Sequence, residues 1–331
     1  MSAPAPPAAV DAQGHGGPRL RPAHYEPSHV PVEVARHGPG GGRLGVGRPG
    51  KVGVLELAFE RRGEPGRERT ELVHHYQKTP LQIMRPLYFD ESRPDMPYTY
   101  VMTTGGGVLH GDRQRSDLWF GPGTSAHVTT QAHTKLHRMD DGYATAVVNL
   151  DVGPGAYVEH LPDPVIPYAH SRFYQRTGVT LDPTATLVIG ETLYAGRLSR
   201  GERNRYDVYA ADLEVRRPDG EPVLVDRVRL VPRDGRLGGV AVLDERDVVA
   251  TLYVVAAAGV DPATIAERLH DAVDEVVDRD TRFGVSVLPA DSGAWLRLVG
   301  DDTVAAQRAT VAAWGAAREL LTGLPAPTIR K

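Results

Sequence analysis

The chain has 331 residues, no cysteine, 24% charged residues and a formal net charge of −4. The lack of cysteine excludes a disulfide scaffold, thiolate metal ligation and a cysteine nucleophile, and the mild negative charge gives no basic footprint for nucleic acid. No apolar run approaches the ~18 residues of a membrane span. The opening MSAPAPPAAVDAQGHGGPRL also lacks the basic and apolar regions of a secretory signal, so a cytoplasmic protein is expected.

Residues 1–50 hold 10 Gly and 9 Pro with almost no apolar periodicity. Such a segment buries too little apolar surface to offset its ordering entropy. A disordered extension is expected over 1–50, with a single folded unit over 51–331.

From Lys51 to about Val260, short runs rich in Val, Leu, Thr and Tyr alternate with Gly, Pro and Asp. KVGVLELAFE, HVTTQAHTKLHR, TAVVNLDV, AYVEHLP, GVTLDPTATLVIG, DVYAADLEVRR and PVLVDRVRLV have strand composition, and DDG, GPG, RPDG and PRDG mark turns between them. No helical stripes alternate with these strands, which argues against parallel βαβ units. Helices come late. DPATIAERLHDAVDEVVDRD has Asp261 as N-cap and Pro262 at the first helical position, with Ile265, Leu269, Ala272 and Val276 on one face. A second helix is expected with Val304, Val311, Trp314 and Leu321 as its stripe and Gly323 as its C-cap. The two spans are about 262–280 and 302–322, with two short strands in GVSVLPADSGAWLRLVG between them. The expectation is mainly β: a large multi-stranded domain, layered or β-helix-like, with two C-terminal α-helices packed on it. No fixed-period repeat decides between a sandwich and a β-helix.

TTGGGVLHGD (103–112) frames four residues between Gly106 and Gly111, the outer spacing of a phosphate-binding loop. Such a loop needs Lys and then Ser or Thr after its last glycine. Asp112 and Arg113 stand there, and a carboxylate would repel phosphate. The dinucleotide pattern also fails, because His110 occupies the third glycine position counted from Gly105. The stretch is better explained as a tight turn in which Gly105–Gly107 take positive φ and Asp112 bonds backbone N–H groups.

As one strand, SAHVTTQAHTKLHRM puts Ser125, His127, Thr129, Gln131, His133, Lys135 and His137 on one face. Three imidazoles suggest a metal, but His133 and His137 are separated by roughly 13 Å of strand rise. A solvated polar face or a partner surface is expected instead, and His127, His133 and His137 are not assigned as a ligand set.

Several motifs, in one order, resemble the UreD (UreH) family of urease accessory proteins. They are TPLQIMRPLYFD (79–90), GGGVLHGD (105–112), TTQAHTKLHR (129–138), YVEHLPDPVIPY (157–168) and ETLYAGRLSRGE (191–202), then GVSVLP, LRLVG and WGAAREL. The shared motif positions include Gly105, Gly106, Gly111, Thr130, Gln131, Lys135, Arg138, Gly196, Arg197 and Gly201. His133 and His137 depart from the family pattern, as do the terminal PTIRK and the 50-residue extension. The resemblance implies a non-enzymatic scaffold with no tightly bound cofactor. It would bind the urease apoprotein and the accessory protein UreF, which recruits the nickel-carrying GTPase UreG, and nickel would pass in transit to the urease active site.

Asp112, Glu159, Asp163, Glu191 and Glu202 each lie inside one of these motifs. Each also has a plain structural reading, such as Glu202 paired with Arg197 and Glu191 with Arg200, because buried charges must be paired. Together they could line a passage, since weak oxygen sites suit an ion that must move on. The rival reading is a β-rich, carbohydrate-active hydrolase using paired carboxylates. A serine hydrolase is disfavoured, because the chain contains no G-x-S-x-G.

Overall fold

The computed structural model describes residues 22–38, 50–235, 237–239, 243 and 245–329. Seven strands form one sheet, in the spatial order Pro222–Leu230, Val208–Arg216, Arg172–Leu181, Ala144–Val152, Arg113–Phe120, Val52–Arg62 and Arg69–Lys78. Its five inner strands are parallel, and the two outermost pair antiparallel. The second sheet runs Arg282–Val287, Gly293–Gly300, Val248–Val255, Thr186–Tyr194, Tyr157–His160, Ser125–Thr130, Tyr98–Thr103 and Leu81–Gln82. A narrow third face is made by Thr134–Leu136 and Val165–Pro167 in parallel, the latter also meeting Thr186–Tyr194.

The chain passes from the first sheet to the second, turns through the third face, and returns to the first beside its previous strand. This makes a β-solenoid, which settles the sandwich-or-β-helix alternative. Phe120 stacks on Val152 and Val152 on Leu181. These intervals are unequal, which is why no fixed period shows in the sequence. Gly-Pro turns mark the corners: Gly121-Pro122-Gly123 and Gly153-Pro154-Gly155 lead into consecutive strands of the second sheet. Between the sheets, Phe59 stacks on Phe120 with centroids 5.3 Å apart, and Leu118, Val128, Val158 and Leu187 fill the interior.

The segment expected to be disordered is partly folded onto this solenoid. Two one-turn helices, α1 (Pro22–Tyr25) and α2 (Val32–Ala35), lie on the first sheet. Val34 is fully buried among Tyr143, Tyr174, Val208, Ala210 and Val231, and Arg113 Nε donates to Glu26 at 2.8 Å. This corrects the expectation for residues 22–38: Val34, with Val30 packed beside it, and a few charges suffice to dock a Pro-rich segment on a preformed surface. The rest of the expected extension, apart from Gly50, lies outside the described residues.

The outer face of the second sheet is covered by α3 (Pro262–Asp274) and α4 (Thr303–Thr322). The caps at Asp261 and Gly323 are as expected, and the structure adds Asp302 as the N-cap of α4. Asp261 accepts from the N–H groups of Ala263 and Thr264, Asp302 does the same for Val304 and Ala305, and Gly323 closes α4 at φ 72°. Two details differ. α3 ends at Asp274, before the expected 280, and Asp278 starts a turn by accepting from the N–H groups of Asp280 and Thr281. Its buried stripe is Ile265, Leu269 and Val273, so Val273 takes the place expected of Ala272 and Val276.

Of the stripe expected on α4, Trp314 is buried and Leu321 packs partly buried against the core, but the two valines do not. Val304 and Val311 are 63% and 51% exposed, while Ala305, Ala306, Ala309, Ala313, Trp314, Ala317 and Arg318 face inward. The alanines let the helix axis approach the sheet closely. Among the described residues, no helix is long and apolar enough to cross a membrane.

Ala313→Leu should therefore destabilise the protein by about 1–3 kcal/mol through overpacking, whereas Val304→Ala should stay within about 0.5 kcal/mol. Urea unfolding of both variants checks this; the reverse ranking would restore the valine stripe.

Candidate functional site

The carboxylates singled out in the sequence fall into three kinds of place. Asp112 and Glu202 clamp loops. The loop before Asp112 has Gly105, Gly106, Gly107 and Gly111 at φ 110°, 79°, 145° and 73°. A Cβ at Gly107 would collide with the Lys135 carbonyl. Asp112 is 2% exposed, and its two oxygens accept from Lys51 N at 2.7 Å and Leu109 N at 2.8 Å. It ties the glycine turn to the start of the first long strand, as expected of a turn carboxylate.

Glu202 is held by Arg197, whose Nε donates at 2.8 Å, and by Ala169 N at 3.0 Å. The bond to Arg197 keeps its carboxyl below the usual carboxylate range. Arg197 also lies over the Tyr168 ring at 4.0 Å. Gly196 sits at φ 144°, where a Cβ would strike the Glu202 carbonyl, and Gly201 ends the small turn between them in the left-handed region.

Glu191 points into the solenoid interior. The expected pairing with Arg200 does not form there; the Tyr209 hydroxyl donates to the Glu191 carboxylate instead. Burial raises its pKa, with the Tyr209 bond acting against that.

The remaining two, Glu159 and Asp163, belong to the outer face of the second sheet, beneath α4. Glu159 is fully buried and is the register partner of His127 across parallel strands. His127 Nδ1 lies 2.7 Å from Glu159 Oε2, and the Tyr157 hydroxyl donates to Oε1 at 2.7 Å. From α4, Arg318 reaches both Glu159 oxygens at 3.4 Å and donates to the Tyr98 hydroxyl at 2.8 Å. Arg318 also forms an ion pair with Asp90, which accepts from Tyr98 at 2.9 Å. Arg318 is fully buried and Asp90 only 4% exposed. Burial alone would raise the Glu159 pKa, but His127, Arg318 and Tyr157 outweigh it and hold the carboxyl below its ordinary value.

The histidines do not gather. The strand expected through 125–139 breaks after Thr130 and resumes at Thr134. His127 is 1% exposed, not on a solvated face, and is sandwiched near Tyr98 (4.9 Å) and Trp314 (5.4 Å). His133 meets Tyr194 and His137 meets Tyr168, each on its own. Of the neighbouring motif residues, Thr130 Oγ1 accepts from Asp163 N at 2.8 Å, Gln131 N bonds Val101 O, and Arg138 pairs with Asp140 at the surface. Lys135 contributes its carbonyl to Val108 N.

His127 and Asp163 open on a cavity of about 610 Å³ between the second sheet, α4 and the chain near Ala326–Ile329. Gly190, Thr192, Tyr194, Thr310 and Trp314 help to wall it, and Leu161 packs closely over Gly190. Because Nδ1 of His127 is engaged by Glu159, its Nε2 is the nitrogen left over, and it has no protein partner. A carboxylate holding one imidazole nitrogen orients the other and raises its basicity toward a metal ion. Sequence reading missed Asp90 and Arg318, and missed that His127 and Glu159 pair. A signal for that pair existed: GPGTSAHV and GPGAYVEH align His127 with Glu159 after the shared turn.

A family model described as UreD urease accessory protein matches residues 51–331. The chain is 51% identical to "Urease accessory protein UreD 2" of Streptomyces griseus subsp. griseus over 291 residues, covering 87% of this chain and 96% of the relative. It is 35% identical to "Urease accessory protein UreD 2" of Brucella ovis (86% and 93% covered). It is 34% identical to "Urease accessory protein UreD" of Cenarchaeum symbiosum (88% and 99% covered).

Arg318→Ala leaves two buried carboxylates without their cation and should cost about 3–5 kcal/mol at neutral pH. A carboxyl whose folded pKa is lowered adds stability above its unfolded pKa and loses it as pH falls through the folded value. The wild-type advantage over Arg318→Ala should therefore shrink on acidification, as both forms take up protons. Urea unfolding from pH 7 downward reads this, and a gap independent of pH would contradict the pairing.

Proposed function

The chain belongs to the UreD family of urease accessory proteins, and on that premise we propose that it is a scaffold through which nickel moves toward urease. The family consists of accessory proteins to urease maturation, not catalysts, so the hydrolase alternative falls. In the proposed arrangement the chain engages the urease apoprotein and UreF, and reaches the nickel-carrying GTPase UreG through that complex.

The observation that carries the nickel role is the cavity beneath α4, with His127, whose Nε2 is buried without a protein partner, and Asp163 in its lining. An imidazole nitrogen and a carboxylate oxygen are suitable donors for Ni²⁺. Two donors from the protein make a weak, exchangeable site, and a four-donor cage would retain the ion. Glu159 acts here as the group that orients His127, and Arg318 as the cation that keeps Glu159 in place. Asp112 and Glu202 are better assigned to loop architecture than to the passage, because they hold backbone N–H groups or Arg197 and neither lines the cavity beneath α4. Glu191 borders the same cavity from within the sheet.

Asp163→Asn and His127→Gln should each lower nickel incorporation into urease severalfold, while the variants still co-purify with urease apoprotein. Nickel content of urease, matured with each variant and measured by elemental analysis, checks this. Wild-type nickel loading with both variants would contradict the passage.

A further inference from the structure

A second cluster lies on the opposite sheet, where the N-terminal segment docks. Glu56 and Asp117 are direct register partners on neighbouring parallel strands and are 1% and 5% exposed. Like charges placed directly opposite destabilise a sheet, and cationic or neutral nitrogen groups gather on this pair: Arg115 on Asp117 and His74 on Glu56. α1 lays His24 over the pair: one ligand atom each from His24, Glu56 and Asp117 lies within 4.8 Å of the others. His74 brings a further imidazole, with Nε2 3.3 Å from Glu56 Oε2.

We propose that His24, Glu56 and Asp117 form a binding site for a divalent first-row transition ion that ties the N-terminal segment to the first sheet. Imidazole nitrogen with carboxylate oxygen is the donor mixture that such ions take. An ion about 2.1 Å from each donor keeps any two donors within about 4.2 Å of each other. The cluster needs only a small closure to reach that, and α1 is a single turn that can make it. Asp117 is already aimed: Arg115 donates to it at 2.6 and 2.9 Å and Asn149 at 2.7 Å, as outer-shell partners do for a ligating carboxylate. Arg115 also bonds the His24 carbonyl, which fixes the third donor to the same support. This site is separate from the cavity beneath α4 and does not depend on the nickel passage.

Titration of the full chain with Zn²⁺, and separately with Ni²⁺, by calorimetry tests the proposal against His24→Ala and Glu56→Gln. His24 lies on a one-turn surface helix, so His24→Ala should leave the fold intact by circular dichroism. The expected result is a saturable site in the wild type whose affinity falls at least tenfold in His24→Ala. Amide exchange over residues 31–38 should also slow when the ion is added to wild type only. Absence of saturable binding to the wild type, or equal stoichiometry and affinity in His24→Ala, overturns it.

Discussion

A guanidinium fully removed from water sets the terms for the rest of this molecule. Arg318 projects from the alanine face of α4 into the second sheet, where Asp90, Glu159 and the Tyr98 hydroxyl receive it. Arginine stays charged at any ordinary pH, so its burial demands two carboxylates in fixed positions. Asp90 lies in the loop before the Tyr98–Thr103 strand, and Glu159 on the strand beside Ser125–Thr130. The helix, the loop and two turns of the solenoid are thus held by one charge. Glu159 in turn fixes the ring of His127, and the ring's free nitrogen becomes a property of the fold and not of a flexible side chain.

The solenoid explains why that geometry is available. Parallel strands stacked in register put residues from successive turns side by side, so His127 and Glu159 meet although 32 residues apart in sequence. Small residues then shape the space above them. Gly190 lets Leu161 pack close on the sheet, and the alanines of α4 bring the helix near it while Thr310 and Val311 border the cavity. The cavity results from where the helix can and cannot approach the sheet.

Local features were legible in the sequence. Turn residues, helix caps at Asp261 and Gly323, and the positive φ of Gly105–Gly107 follow from backbone chemistry within a few residues. The mainly β class and the two late helices followed too. What was not legible depends on contacts between distant segments. Nothing near Arg318 announces Asp90 or Glu159, and an arginine beside a run of alanines resembles a solvated position. The valine stripe on α4 misled because apolar periodicity does not register how closely a helix must approach its support. The strand through 125–139 misled because its alternation continues across a break at 131–133. Residues 22–38 escaped notice because their docking needs only Val34, Val30 beside it and a few ion pairs, below what composition can signal. The carboxylates were found as motif members, yet their sequence context could not separate loop clamps such as Asp112 and Glu202 from groups facing a cavity.

The central claim is that the space beneath α4 carries nickel. Thr310→Trp places a bulky ring in that space from the helix side and alters no titratable group, so it isolates the cavity from the donors around it. Nickel content of urease apoprotein matured with this variant, in a complex shown to assemble normally, is the direct measurement. The account predicts a large loss of nickel loading with assembly intact; loading equal to wild type with the cavity filled would contradict it.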